Sequence, residues 1–160
     1  MVLQPRIDQL AERPNWVPVV GAWIYHQWWT TVPGASVATL SERLRGHLTP
    51  DQIPLTLVAS LDSRPVGTAT LLEHDAGTEQ WPDFSPWLAG VYVVPGFRRC
   101  GVGSALVKAV ECKAADLGVG RLYLSTVDRQ EFYAGLGWQL IDRDPGKVVM
   151  SRELEADRPR

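Results

Sequence analysis

The residues best placed to do chemistry lie in VYVVPGFRRCGVGS, positions 91–104, where an apolar run meets the start of a helix. A strand that enters a helix through Gly101 and Gly103 leaves amide N–H groups pointing outward at the positive end of the helix dipole. With no side chains at the glycines, a ligand can approach that backbone closely. Phosphate and pyrophosphate are the groups such a site suits. Arg98 and Arg99 add charge-assisted donors at its rim. A tight turn with two solvated arginines is the plainer account of the same residues. Two nucleotide patterns are excluded. The sequence GxxxxGK followed by Ser or Thr is absent for want of its lysine, and a dinucleotide fingerprint needs a third glycine where the chain has Leu106. Cys100 has no histidine near it in sequence, so it reads as a loop residue and not as a nucleophile.

The elements that must position this joint can be read outward from it. The chain has 160 residues, enough for one domain burying roughly 70% of its unfolded surface. Its composition is 45% hydrophobic and 21% charged with a formal net charge of -2, which lacks the basic excess that nucleic-acid binding needs. No secretory apolar segment opens the chain and no apolar run approaches the about 18 residues of a membrane span, so a cytoplasmic protein with no membrane partner is expected. Cys100 and Cys112 have neither zinc-ligand nor disulfide-framework spacing, so reduced thiols and no metal are expected.

Trp16, Val20, Trp23, Ile24 and Gln27/Trp28 recur at helical spacing over 16–29, closed by Pro33-Gly34. A second helix over 36–47 carries Val37, Leu40 and Leu44 on one face behind Ser36 as a cap. LTLVASLDSRPVGTATLLEH reads as an antiparallel hairpin turning at 62–65. A strand over 87–94 stops at Pro95, and a helix from Val102 follows, its apolar face running through Leu106, Val110 and Ala114 to a stop at Gly118 and Gly120. RLYLSTV is a further strand, DRQEFYAGLGW a short helix and turn, and one or two closing strands reach Leu154. The domain is therefore 1–154, and the tail 155–160 offers nothing to bury and is expected to be disordered.

Arg98-Arg99-Cys100-Gly101-Val102-Gly103 matches the R/Q-x-x-G-x-G/A motif of the GCN5-related N-acetyltransferases. The strand Val91-Tyr92-Val93 with Pro95 resembles the one that leads into that motif. Phe132-Tyr133, then Gly137-Trp138, resembles the family's downstream F-Y-x-x-x-G-F/W element, and the order of elements agrees from about Trp16 to Leu154. The resemblance implies a mixed α/β (α+β) fold, a single domain with a mostly antiparallel sheet flanked by helices. It also implies direct attack of an amine on the thioester of acetyl-CoA, with no acyl-enzyme. The backbone of Val91, Tyr92 and Val93 would pair with the pantetheine arm where the sheet splays beside a bulge. The amides of Arg98, Arg99, Cys100, Gly101, Val102, Gly103 and Ser104 would cradle the pyrophosphate. An amide at Val93 or a neighbour would polarise the thioester carbonyl. Tyr133 would be the general acid that protonates the departing thiolate, its plainer role being a core tyrosine.

The chain also departs from the family pattern. Trp87 stands four residues before Val91, where many relatives carry a glutamate that serves as base. The base must then come from elsewhere, or the proton leaves through water. The loop 73–86 holds Glu73, His74, Asp75, Glu79 and Asp83, of which Glu73, Asp75 and Asp83 are the base candidates; a solvated acidic loop is the other account. Where relatives often have asparagine and alanine ahead of the tyrosine, this chain has Thr126 and Arg129, a cofactor hydroxyl contact and a contact to the 3′-phosphate if they still serve. Trp28, Trp29 and His26 are candidates for an aromatic acceptor pocket, while Trp16 and Trp23 read as core. His47, at a helix end, reads as surface. The implied acceptor is an amine on a small molecule or a peptide amino terminus. A non-catalytic acyl-CoA-sensing module is the alternative, and a homodimer is compatible with the family.

Overall fold

The structure is a computed structural model and describes residues 1–155, so all but the first residue of the expected tail lies outside the described residues. β-branched and apolar residues concentrate in the strands β2 (Leu55–Leu61), β3 (Arg64–Leu72), β4 (Trp87–Val93), β5 (Arg121–Thr126) and β7 (Lys147–Glu153). With β1 (Arg6–Gln9) and β6 (Gln139–Asp144) they form one sheet in the order β1-β2-β3-β4-β5-β7-β6. Every neighbouring pair is antiparallel except β4 and β5, which are parallel and register at a single point, Trp87 opposite Tyr123. The hairpin turns at Asp62 and Ser63, with φ of 50° and 63°, the left-handed pair that a two-residue turn needs to follow the strand twist. Strand β1 was not expected: RIDQ offers one apolar residue, and it is a strand because β2 presents an edge to it.

Helices cover both faces. Along β2, Leu57 and Ala59 face one side and Val58 the other, the two-residue period of a pleated strand. On the first side α3 (Val102–Asp116) lays Val102, Leu106, Val107 and Val110 on the sheet, each 1% exposed or less. On the second, α1 (Val17–Ile24) and α2 (Val37–Arg45) bury Val17, Val20 and Leu44 over Val58. Half-buried Trp16 and Trp23 pack on that cluster, as expected. Ser36 caps α2, accepting from Thr39 N at 3.0 Å. The first helix departs from a uniform 16–29 helix: beyond α1 it widens into a π-helical turn, Tyr25–Trp29. The short α4 (Gln130–Gly135) precedes β6. Among the described residues no helix is long and apolar enough to cross a membrane.

Candidate active site

The site begins with one extra residue. Thr68 of β3 pairs with Tyr92 and Thr70 with Ala89, so Gly90 and Val91 together oppose Ala69. Gly90 takes φ +61°, a conformation costly for other residues, and the bulge it forms turns β4 aside. Beyond Trp87–Tyr123 this edge of β4 therefore has no partner strand among the described residues, and a cleft of about 1090 Å³ opens between β4, the first turn of α3, the end of β5, and α4. Val91, Tyr92 and Val93 line it, as expected of the residues meant to pair with an extended ligand.

The chain then enters α3 through Arg99 at φ +61° and Gly101 at φ +87°. No side chain caps this 15-residue helix, and its first internal bond is Ala105 N to Gly101 O at 3.0 Å. The amides of Val102, Gly103 and Ser104 precede that bond and are left for a ligand, at the positive end of a full-length helix. A Cβ at Gly103 would stand 3.6 Å from Phe132 and 3.7 Å from Val93, so the glycine keeps a gap open between them. Arg98, Arg99, Gly101, Gly103 and Ser104 line the cleft. Cys100 and Val102 do not: Val102 is core at 1% exposure, and the Cys100 carbonyl accepts from Leu3 N at 2.7 Å. Arg98 is less free than a rim residue, since its Nε donates to the Val93 carbonyl at 2.7 Å and its guanidinium lies 5.4 Å from the centre of the Tyr92 ring.

Tyr133 reaches the cleft from α4, 8% exposed and held edge-on between Phe132 at 5.0 Å and Trp138 at 6.1 Å. Burial pushes its hydroxyl up to about 12, against the pull of Arg129, so the group stays protonated and able to donate. Thr126 and Arg129 both line the cleft. The Thr126 hydroxyl is already engaged, accepting from Arg129 N at 3.1 Å at the entrance to α4.

The loop 73–86 does not deliver its acids as a group. Asp75 lines the cleft, and burial pushes its carboxyl up to about 6 despite the nearby Lys147. Glu73 and Asp83 are exposed and lie outside the cleft, the Glu73 carbonyl accepting from Ser85 Oγ at 2.6 Å. Trp28 and Trp29 line the cleft from the π-helical turn; Trp28 is 44% exposed, and Arg43 stacks over Trp29 at 4.8 Å. His26 points away, exposed and packed edge-on against Tyr25. Trp87, at the position of the absent glutamate, is fully buried, its Nε1 donating to Phe84 O at 2.6 Å.

One expectation is corrected here. His47 is not a surface residue; it is 7% exposed and lines the cleft. Its Nδ1 lies 2.8 Å from Thr56 Oγ1, which lies 3.1 Å from Thr70 Oγ1. Burial first, and Arg43 second, hold the imidazole down at about 4. The signal available was the hairpin itself, which sets Thr56 directly opposite Thr70, two polar residues at the middle of two apolar strands.

Comparison with known proteins agrees with this geometry. Residues 22–138 match the acetyltransferase (GNAT) family, and the chain belongs to it. It is 33% identical over 104 residues to uncharacterised N-acetyltransferases of Mycobacterium tuberculosis and Mycobacterium bovis, the match spanning 62% of this chain and 62% of theirs. Its fold is similar to that of an aminoglycoside 6′-N-acetyltransferase crystallised with coenzyme A, with a TM-score of 0.72 and 15% identity over 97% of this chain and 99% of that one. A GCN5-related N-acetyltransferase from Rhodopseudomonas palustris superposes with a TM-score of 0.67 and 22% identity, covering 96% and 98% of the two chains.

Proposed function

We propose that this protein transfers the acetyl group of acetyl-CoA to an amine. The observation that carries the reading is that a bulged, unpaired strand edge, an uncapped helix N-terminus and a protonated tyrosine open onto one cleft. The Val91–Val93 backbone takes the pantetheine arm, and the amides of residues 101–104 with Arg98 and Arg99 take the pyrophosphate; Val102 contributes its backbone alone, and Cys100 stands outside the cleft. Thr126 and Arg129 stand at the far rim. The neutral amine attacks the thioester carbon, the thiolate leaves, and Tyr133 donates its proton to the sulfur. Asp75, directly or through water, receives the proton the amine gives up. Acetyl-CoA as the donor fits a cytoplasmic setting.

The lining also favours a class of acceptor. With Arg98, Arg99 and Arg129 matched to the phosphates of the donor, Arg43 and Lys147 are left against Asp75 and Asp128, a lining with no net charge to draw a polycation. Trp28, Val32 and Ile24 offer an apolar wall. A monoamine on an apolar or aromatic body, in a small molecule or at a peptide amino terminus, fits this lining. The test is release of CoA thiol from acetyl-CoA with aromatic monoamines, amino-terminal peptides, polyamines and aminoglycosides as acceptors. Turnover confined to the first two classes supports the reading, and preference for a polycation overturns the acceptor class. Acetyl-CoA binding with no turnover in any class would favour a sensing module.

A further inference from the structure

We infer that Thr70 receives the acceptor amine beside the β4 bulge, held in orientation by Thr56 and His47; this rests on the acetyl-transfer reading above. On the sheet face under α1 and α2, three polar side chains are buried in a line: Thr56 at 0%, Thr70 at 4% and His47 at 7% exposure. Each polar group buried in a sheet centre costs stability unless it is paired. Packing accounts for Thr56, whose hydroxyl has a partner on each side. It does not account for the two ends of the line, both of which reach the cleft. Among the described residues His47 Nε2 has no partner, and it is not sealed from solvent. The Thr70 hydroxyl has one protein partner, Thr56, although a hydroxyl offers one donor and two acceptor sites.

The position of Thr70 gives that spare capacity a use. It pairs with Ala89, the last residue before the bulge, and its Oγ1 would lie 3.8 Å from a Cβ placed on Gly90. The hydroxyl thus stands beside the bulge, where the thioester is proposed to lie, on the face from which α1 and α2 border the cleft. With the ring proton of neutral His47 on Nε2, toward the polar cleft, Nδ1 is an acceptor. Thr56 then donates to His47, Thr70 donates to Thr56, and the lone pairs of Thr70 are presented to the cleft. An amine N–H donated to Thr70 directs the nitrogen lone pair at the thioester carbon. No bond is made or broken in this step; Thr70 contributes orientation, and Thr56 and His47 are positioning residues.

The experiment uses the purified full chain with the best amine found above, and measures kcat, both KM values and acetyl-CoA affinity by calorimetry. Thr70→Val, nearly isosteric, is expected to lower kcat/KM for the amine by roughly ten- to a hundredfold with acetyl-CoA affinity held within about twofold. Thr70→Ser is expected to restore most of the activity. His47→Phe is expected to reproduce the Thr70→Val loss, and the double variant to add little to either, since the residues act as a unit. Should His47→Phe fail to fold, His47→Asn, which keeps an acceptor in reach of Thr56, is expected to retain activity, and its inactivity while folded counts against the chain of hydroxyls. Thr70→Val with unchanged kcat/KM in an active parent overturns this inference alone. A parent chain that neither binds nor turns over acetyl-CoA overturns the acetyl-transfer reading, and this inference with it.

Discussion

The two halves of the cleft are built from different materials. The half at the N-terminus of α3 is mostly backbone: the β4 bulge, the unpaired strand edge and the uncapped amides of residues 102–104. The half under α1 and α2 is side chain, collected from a π-helical turn, the end of α2, the centre of β3 and the loop after it: Trp28, Trp29, His47, Thr70 and Asp75. A backbone site depends on where glycine and proline stand and tolerates wide variation elsewhere. A side-chain site can be rebuilt residue by residue without altering the fold. On the proposed reading the cofactor chemistry belongs to the first half, and the choice of acceptor to the second.

The sharpest way to break that contrast is at Gly103. Glutamate there extends into the gap between Phe132 and Val93 and sets a carboxylate against the proposed pyrophosphate site, while its Cβ meets only ordinary contacts. Acetyl-CoA binding by calorimetry should disappear with the melting temperature nearly unchanged. Retained binding would remove the α3 N-terminus from the cofactor site. Next in size is Tyr133→Phe, which removes the only proposed proton donor to sulfur. It should lower kcat by about a hundredfold with acetyl-CoA affinity intact, within the range general acids supply. Unchanged turnover would leave Tyr133 as a core residue. Its own titration, up near 12, should leave no alkaline limb below that pH.

The same contrast explains what the sequence disclosed. Gly101, Gly103 and Pro95 announce the strand-to-helix joint because backbone geometry restricts which residues fit, and Tyr133 follows from its fixed place after it. The alternation and turn of the hairpin, and the apolar stripe of α3, are equally direct. The acceptor half was legible only in part. Trp28 and Trp29 drew notice because aromatic residues are conspicuous, and both line the cleft, but His26, two residues before Trp28, stands on nearly the opposite side of the helical turn and outside the cleft. Glu73 and Asp83 lie in the same loop as Asp75, and nothing in the loop's composition says which acid turns inward. His47 was misread because a helix end is usually wet, and only the sheet beneath α2 shows that this one is not. Strand β1 exists through its partner and not through its own residues.

In the acceptor half, Asp75→Asn sharpens the comparison at a smaller scale. As a base Asp75 must be ionised, so kcat/KM should show an acid limb near 6 beneath the further rise set by deprotonation of the free amine. The asparagine variant should lose about tenfold at pH 8 and lose that limb. A limb that survives in the variant would belong to another group.

The smallest effect sets a buried group of this half, His47, against a half-buried one, Asp75. His47 is held at about 4 in the fold against 6.5 ordinarily, so the unfolded chain takes up its proton first, and stability falls as pH drops below 6.5. Between pH 7 and 5 this costs about 1–2 kcal/mol. Asp75, held at about 6 against 3.8, has the opposite sign: the folded chain takes up its proton first, and stability rises as pH falls through 6. In the parent chain the two slopes oppose each other, and denaturant unfolding should change little between pH 7 and 5. Asp75→Asn removes the compensating group, so the variant should be more stable than the parent at pH 7 and lose stability more steeply toward pH 5. Adding His47→Asn should flatten the curve again. A parent and an Asp75→Asn variant with parallel curves would mean that the carboxyl of Asp75 is solvated in the fold, and would take the acid limb near 6 away from it as well.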